Sequence, residues 1–223
     1  MFSRLTDVMK VVEEYSKYLE SEGIPLDEQS FPVLHPECFL DTWPEAVVPF
    51  QNRNSTLVAD PSKTVICFYC PDERIYPRLD KVFKEIPEYQ RFMGVVATDV
   101  TVTQDMDPEW QFEIMLLNQL FMGVLAVKGI KVIPNLRCGL QETLFCFESI
   151  PPGVMCASGT LGCSNLKRPH DMSYLEKVMK VRPSKILIYG KPDPIMESQL
   201  NTVGIPYRRF DDVHRATKKE RTS

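Results

Sequence analysis

Asp99, Thr101, Thr103 and Asp105 occupy every second position in VVATDVTVTQDMDP, so an extended chain carries all four on one face. Two carboxylates and two hydroxyls turned toward one cavity supply a base or nucleophile and the bonds that position a substrate. A second constellation ends IKVIPNLRCG, where Asn135 and Arg137 follow the apolar Ile130, Val132 and Ile133 directly. Arg137 can hold a phosphate or carboxylate bidentately, and Asn135 can meet an amide or a base edge. A plainer reading stands beside this one. Arg137 would then only neutralise Asp99, and Asp105 and Asp107 would only cap the next helix.

Other chemistry-bearing types carry less. CFYC has redox spacing, but Cys67 and Cys70 fall on a strand, whereas a reactive pair opens a helix whose dipole lowers a thiol pKa. His35, His170 and His214 are dispersed and no second CxxC exists, which predicts no metal site. Cys163 in TLGC reads as packing and His170 as a cap or surface residue. SGTLGCSN lacks the Lys-Ser/Thr of a phosphate loop, and no glycine-rich dinucleotide turn follows the first strand, so no cofactor is expected. Trp110, Ile114, Leu117, Phe121 and Leu125 recur as the core stripe of a helix.

The elements that must position these residues set in at Lys63. Apolar runs at Thr64–Tyr69, Met93–Val100, Ile130–Pro134, Val154–Ala157, Lys185–Tyr189 and Ile205–Phe210 alternate with helical patterns at Tyr76–Ile86, Pro108–Lys128, Gln141–Ser149, Met172–Val181 and Pro194–Val203. Asp107-Pro108 and Asp193-Pro194 are helix starts, and Gly129 and Gly204 follow helix ends. This rhythm predicts an α/β fold with a mostly parallel sheet of about six strands, either doubly wound or, as the reading favoured here, a short irregular (β/α) barrel-like form. In either form ligands gather at the carboxyl ends of strands. The polar strand ends are Cys70-Pro71-Asp72, the Asp99 to Asp105 run, Asn135 with Arg137, Ser158 with Thr160 and Cys163, and Tyr189 with Gly190 and Lys191. Asp99 and Asp105 are the expected catalytic groups. Thr101, Asn135, Arg137, Thr160 and Tyr189 are the expected substrate-binding groups.

Residues 1–60 read as a cover for the body at 61–214, with 215–223 as a frayed tail. Leu5, Val8, Met9, Val12, Tyr15 and Leu19 make an amphipathic helix over 3–22, stopped by Gly23 and Pro25. Its apolar stripe must be buried on the body or against a second copy in a homodimer. Residues 24–62 form an extended arm, rich in proline and too aromatic for a free linker.

Charge and composition exclude some classes. The 223 residues carry a formal net charge of −4, so no global basic field attracts nucleic acid. Residues 1–60 hold 4 Lys/Arg against 11 Asp/Glu, and a basic stretch lies in 165–191. Seven cysteines at irregular spacing predict reduced thiols in a cytoplasmic protein. No secretory signal is visible, and the longest uncharged run, Ile114–Val127, is short for a membrane span and contains Asn118 and Gln119.

TDVTVTQDMDPEWQ, GIKVIPNLRCG, FCFESIPPG and GTLGC, in this order, resemble the family called domain of unknown function 4417, over roughly Asp60 to Phe210. The family pattern has Asp-aromatic-Ser, then Asp-Met-Pro, then Ile-Pro-Asn-hydrophobic-Arg-Trp-Gly. Asp99, Asp105, Met106, Asn135, Arg137 and Gly139 match it. Val100 replaces the aromatic, Thr101 the serine and Cys138 the tryptophan, and Asp107 intervenes before the proline. The resemblance implies a phage, prophage or Gram-positive setting and no particular reaction. Two functions are compatible with this. One is an enzyme on a nucleobase, nucleoside or nucleic acid, of glycosylase or transglycosylase type, with Asp99 as nucleophile or charge stabiliser. The other is a non-enzymatic protein that binds a host or phage protein or DNA through its acidic arm.

Overall fold

The computed structural model describes residues 5–161 and 174–220. Strands β1 (Ala46–Pro49), β2 (Thr64–Cys67), β3 (Gly94–Val96) and β4 (Val132–Ile133) form one parallel sheet in chain order. Strands β5 (Met155–Gly159), β6 (Lys185–Tyr189) and β7 (Tyr207–Phe210) form a second, also parallel and in chain order. One bridge, Asn135 to Ala157, joins the sheets. Around it Leu136 N–H donates to Ala157 O at 2.9 Å, and Ala157 N–H donates to Pro134 O at 2.8 Å. The expected mixed α/β architecture of parallel strands and helices is present.

The barrel-like part of the expectation is not met as a closed ladder. Among the described residues β7 does not pair with β1. A cavity of about 170 Å³ lies between them, lined by Val47, Val48, Leu57, Phe210, Val213 and Ala216 among others. The sheets nevertheless share an interior. Val47, Val65, Val96, Ile133, Ala157 and Leu187, one from each of β1 to β6, belong to a single buried cluster. Their chain neighbours Val48, Ile66, Val95, Val132, Cys156 and Ile186 belong to a second cluster beneath the helices. Successive side chains on a strand face opposite ways, so runs buried on both faces must be apolar throughout. That is why these strands lack polar alternation.

Helices cover the outside: α1 (Leu5–Ser21), α2 (Asp72–Leu79), α3 (Val82–Tyr89), α4 (Pro108–Val127), α5 (Tyr174–Val181), α6 (Pro194–Thr202) and α7 (Val213–Glu220). Asp107 accepts from Glu109 N–H, and Asp193 from Ile195 and Met196 N–H, as helix caps. Gly129 and Gly204 adopt φ of +76° and +71° at the ends of α4 and α6. The single helix expected at Tyr76–Ile86 is two short ones. Pro77 and Pro87 each remove an intrahelical donor, and neither helix exceeds eight residues. Gln141–Phe147 winds as a 3-10 helix. The last helix, α7, runs to Glu220.

The amino-terminal segment is tied to the body. Val8, Val11, Tyr15 and Leu19 of α1 are buried, α1 packs on α4, and Tyr15 Oη donates to Leu79 O at 2.6 Å. The stretch read as an arm also supplies β1, a strand hidden in the sequence by Pro44 and Pro49 at its margins. By length and composition α4 could cross a membrane, but 78% of its apolar window is buried inside the molecule. It is a core helix.

Candidate functional site

The two strand exits reach the site by different routes. In β4 the alternation runs on undisturbed: Val132 and Leu136 face the helices, while Ile133 faces the inner core. Asn135 and Arg137 therefore extend the inward row of Ile133 beyond the strand. In β3 the alternation slips. Val95 and Ala97 lie in the outer cluster and Val96 in the inner one, yet Thr98 also turns outward, its hydroxyl donating to Asn118 Oδ1 of α4 at 2.7 Å. Beyond it Val100 and Val102 are again in the outer cluster. One extra outward residue reverses the parity. Without that slip Asp99 would face the helices.

Asp99 is 7% exposed and closely held. Its Oδ1 accepts from Asn135 Nδ2 at 2.7 Å and from Arg137 Nε at 2.8 Å, and its Oδ2 accepts from Arg137 Nη2 at 2.8 Å. Tyr69 Oη donates to Asn135 Oδ1 at 3.2 Å, which fixes the amide so that its nitrogen faces the carboxylate. The Tyr69 ring stacks on Tyr189 with centroids 5.6 Å apart, and a Cβ at Gly159 would lie 2.4 Å from that ring. Gly159 is thus needed for the close approach of Tyr69. Burial, then the Asp99 carboxylate, pushes the Tyr69 phenol well above its ordinary pKa, and burial does the same to Tyr189. Both remain neutral hydrogen-bonding groups. Arg137 retains 21% side-chain exposure, so the pair is reachable from one side.

The other expected site residues separate. Thr101 turns to Asp72 at the start of α2, which accepts from its N–H at 3.1 Å and its hydroxyl at 2.9 Å. Tyr76 Oη donates to the same carboxylate at 3.2 Å. Asp105 is exposed on the turn before α4. Thr160 is buried, its hydroxyl donating to Lys191 O at 2.8 Å, and Ser158 bonds Tyr174 Oη at 2.7 Å. Tyr189 is 1% exposed inside the ring stack. The structure joins Asp99, Asn135 and Arg137 in one network, backs it with Tyr189 through the stack on Tyr69, and gives Thr101, Asp105 and Thr160 other surroundings. Cys163, His170 and much of the basic stretch lie outside the described residues.

Several positioning groups were not singled out from sequence. Gln111, fully buried on α4, accepts from Leu140 N–H at 2.8 Å and donates to Met106 O at 2.8 Å, so it ties the loop carrying Arg137 to the loop after β3. Asn118 holds Thr98 and the Val100 N–H, and with them the slip in β3. Both were hidden within the apolar period of α4. A polar residue breaking that period was the available signal. Asp72 was visible as a strand end and Tyr69 only as an aromatic in an apolar run.

Cys38, Cys67, Cys70, Cys146 and Cys156 are free thiols. Burial drives Cys67 upward in pKa and raises Cys70 to about 11, with Asp99 and Asp72 adding to the Cys70 shift against Arg74. Burial also raises Cys138, opposed by Lys177. These are protonated thiols at neutral pH. No group of three or more His, Cys, Asp or Glu among the described residues could hold a metal ion.

The family model described as Domain of unknown function (DUF4417) matches residues 28–208. No curated protein and no solved structure matches the chain.

Proposed function

The chain belongs to the DUF4417 family, and from that premise we propose an enzyme of glycosylase or transglycosylase type acting on a nucleobase-containing compound. Its setting would be the cytoplasm of a cell that carries a phage or other mobile element. The observation that carries the proposal is Asp99, a carboxylate at the carboxyl end of a parallel strand, oriented by Asn135 and Arg137. In this reaction the bond from sugar C1′ to the base nitrogen breaks and its electron pair leaves with the base. Positive charge grows on the sugar, and a fixed carboxylate beside it lowers that barrier. Water or an incoming base forms the new C1′ bond, and the proton it releases ends on the departing base. Both Asp99 oxygens already accept donors, which favours charge stabilisation over covalent attack.

A second reading is a non-enzymatic protein that binds a host or phage protein or DNA, with Asp99 and Arg137 as a structural pair. It is favoured by one observation: the crevice beside Asn135 and Arg137 measures about 10 Å³, far below a nucleobase. Incubating the protein with nucleoside, RNA and DNA pools, followed by mass spectrometry of released or exchanged bases, separates the two. For an enzyme, Asp99→Asn abolishes the chemical change while the protein stays folded at the assay temperature. If wild-type protein changes none of the pools, the enzymatic reading is overturned.

A further inference from the structure

We propose that the seam between β7 and β1 is a binding site for a small uncharged heteroaromatic ring of nucleobase size, held by the backbone edge of β1. The seam cavity of about 170 Å³ is lined by Val47 and Val48 alike. Val47 belongs to the inner cluster and Val48 to the outer one. A space that touches both lies beside the strand, in the plane where a ladder to β7 would run. Phe210 and Asp211 bound it on the β7 side, and Val213 and Ala216 of α7 on the helix side.

Backbone groups point into this space. Glu45 N–H donates to Lys63 O at 2.9 Å. Alternate residues of a parallel strand bond the same neighbour, so Glu45 and Val47 serve β2, while Pro44, Ala46 and Val48 turn their backbone groups the other way. Arg208 of β7 marks that direction, its Nη1 reaching Pro44 O at 3.5 Å across the seam. Ala46 C=O and Val48 N–H are thus an acceptor and a donor side by side, facing the cavity. Neither has a partner among the described residues. Val48 is 2% exposed, so bulk water does not reach its N–H, and a buried backbone donor needs an acceptor.

In a ladder this pair would receive the N–H and C=O of one opposing residue. A ring with a donor beside an acceptor, as on an edge of adenine, presents the same two groups in one rigid plane. A dry apolar cavity of roughly 150 Å³ holds a benzene ring, so the seam takes one nucleobase-sized ring and has no room for a sugar phosphate. A whole strand does not fit either, because Arg208 spans the amino end and α7 lies over the rest. The charged group in the wall, Asp211, is an acid bonded to Arg209 at 2.9 Å, and nothing there draws an anion. Asp99 does not line the cavity, so the proposal stands whether or not that carboxylate does chemistry.

Titrating isotope-labelled protein with adenine, followed by amide resonances, tests it. Saturable shifts of Val48, Leu57 and Val213 are expected, the Val48 proton moving downfield, with a Kd of about 1 mM or tighter. Val48→Pro removes an N–H that no ladder bond uses and should weaken binding about tenfold. Ala216→Leu fills the cavity from a surface helix and should abolish the shifts, which keeps the test open if the proline variant does not fold. No saturable shift up to the solubility limit of adenine overturns the proposal. So does equal affinity for indole, which lacks an acceptor beside its N–H, because the seam would then be an apolar void only. Shifts that survive Ala216→Leu place adenine elsewhere and overturn it too. Binding is read without turnover, so failure here is distinct from failure of the Asp99 reaction.

Discussion

At the carboxyl end of the strands Asp99 is gripped by three directional bonds from Asn135 and Arg137. At the amino end Trp43 packs against the inner core, with the Lys185 and Arg208 cations 5.5 and 5.2 Å from its ring. Arg208 also reaches Pro44 O at 3.5 Å, and Lys185 bonds Asp41 O. The same apolar interior lies between. A cation–ring contact tolerates small rotations, whereas a bidentate guanidinium–carboxylate pair does not. A buried ion pair regains little net stability after desolvation, and apolar groups of equal volume hold a structure as well. The amino end is closed in that cheaper way. The carboxyl end uses fixed charge, which is the material a reaction or a specific contact needs.

The largest expected effect comes from Arg137→Ala. It strands the Asp99 carboxylate and should cost about 3 kcal/mol in denaturant unfolding, the lower end for a broken buried pair because Arg137 is partly exposed. A loss below about 1 kcal/mol would erase the contrast between the two ends. Gly159→Ala should cost about 1–3 kcal/mol, because its Cβ would overlap the Tyr69 ring. The same variant should disturb the Asn135 side-chain amide resonances, since Tyr69 holds that amide. Trp43→Leu keeps a smaller apolar plug and removes the cation–ring contacts with part of the indole's packing, so about 1–2 kcal/mol is expected. A loss as large as that of Arg137→Ala would show that the amino end is as exacting as the carboxyl end.

The smallest effect is a pH dependence. The Cys70 thiol, below Asp99 and Asp72, is raised from about 9 to about 11, chiefly by burial. Between those values the unfolded thiol loses its proton while the folded one keeps it. The stability it contributes is therefore complete below pH 9 and declines as the pH rises toward 11. Thermal melts across that window should fall, and Cys70→Ser should flatten part of the slope. Trp43→Leu should leave the slope unchanged, because it removes no acid. If it flattens the slope equally, the titration does not belong to the carboxyl end.

Much of this was legible in the sequence, for physical reasons that also explain the gaps. Apolar runs of four to eight residues revealed the strands because both faces are covered, and Asp-Pro pairs marked α4 and α6 because capping is local chemistry. Asp99, Asn135 and Arg137 stood out because charge at the end of an apolar run demands a partner. β1 escaped because four residues between prolines carry no period of their own. The slip at Thr98 escaped because it depends on Asn118, twenty residues away. Thr160 resembled a substrate contact because a buried hydroxyl reads the same whether it meets a ligand or, as here, Lys191 O.

The order of the strands has a consequence for synthesis. Every ladder joins strands that are consecutive along the chain, and even the bridge between the sheets links β4 to β5. Each new strand leaving the ribosome therefore finds its neighbour already made, with little loop entropy to overcome. The junction between β7 and β1 is the exception: its two sides are the first and last strands translated. A nascent chain halted after α4 would carry three strands of the first sheet with α1 and its partner helix, and it would hold Asp99 without its grip. The grip arrives with the exit of β4, well before α7 lines the open flank between β7 and β1, so the charged end is sealed before the apolar flank.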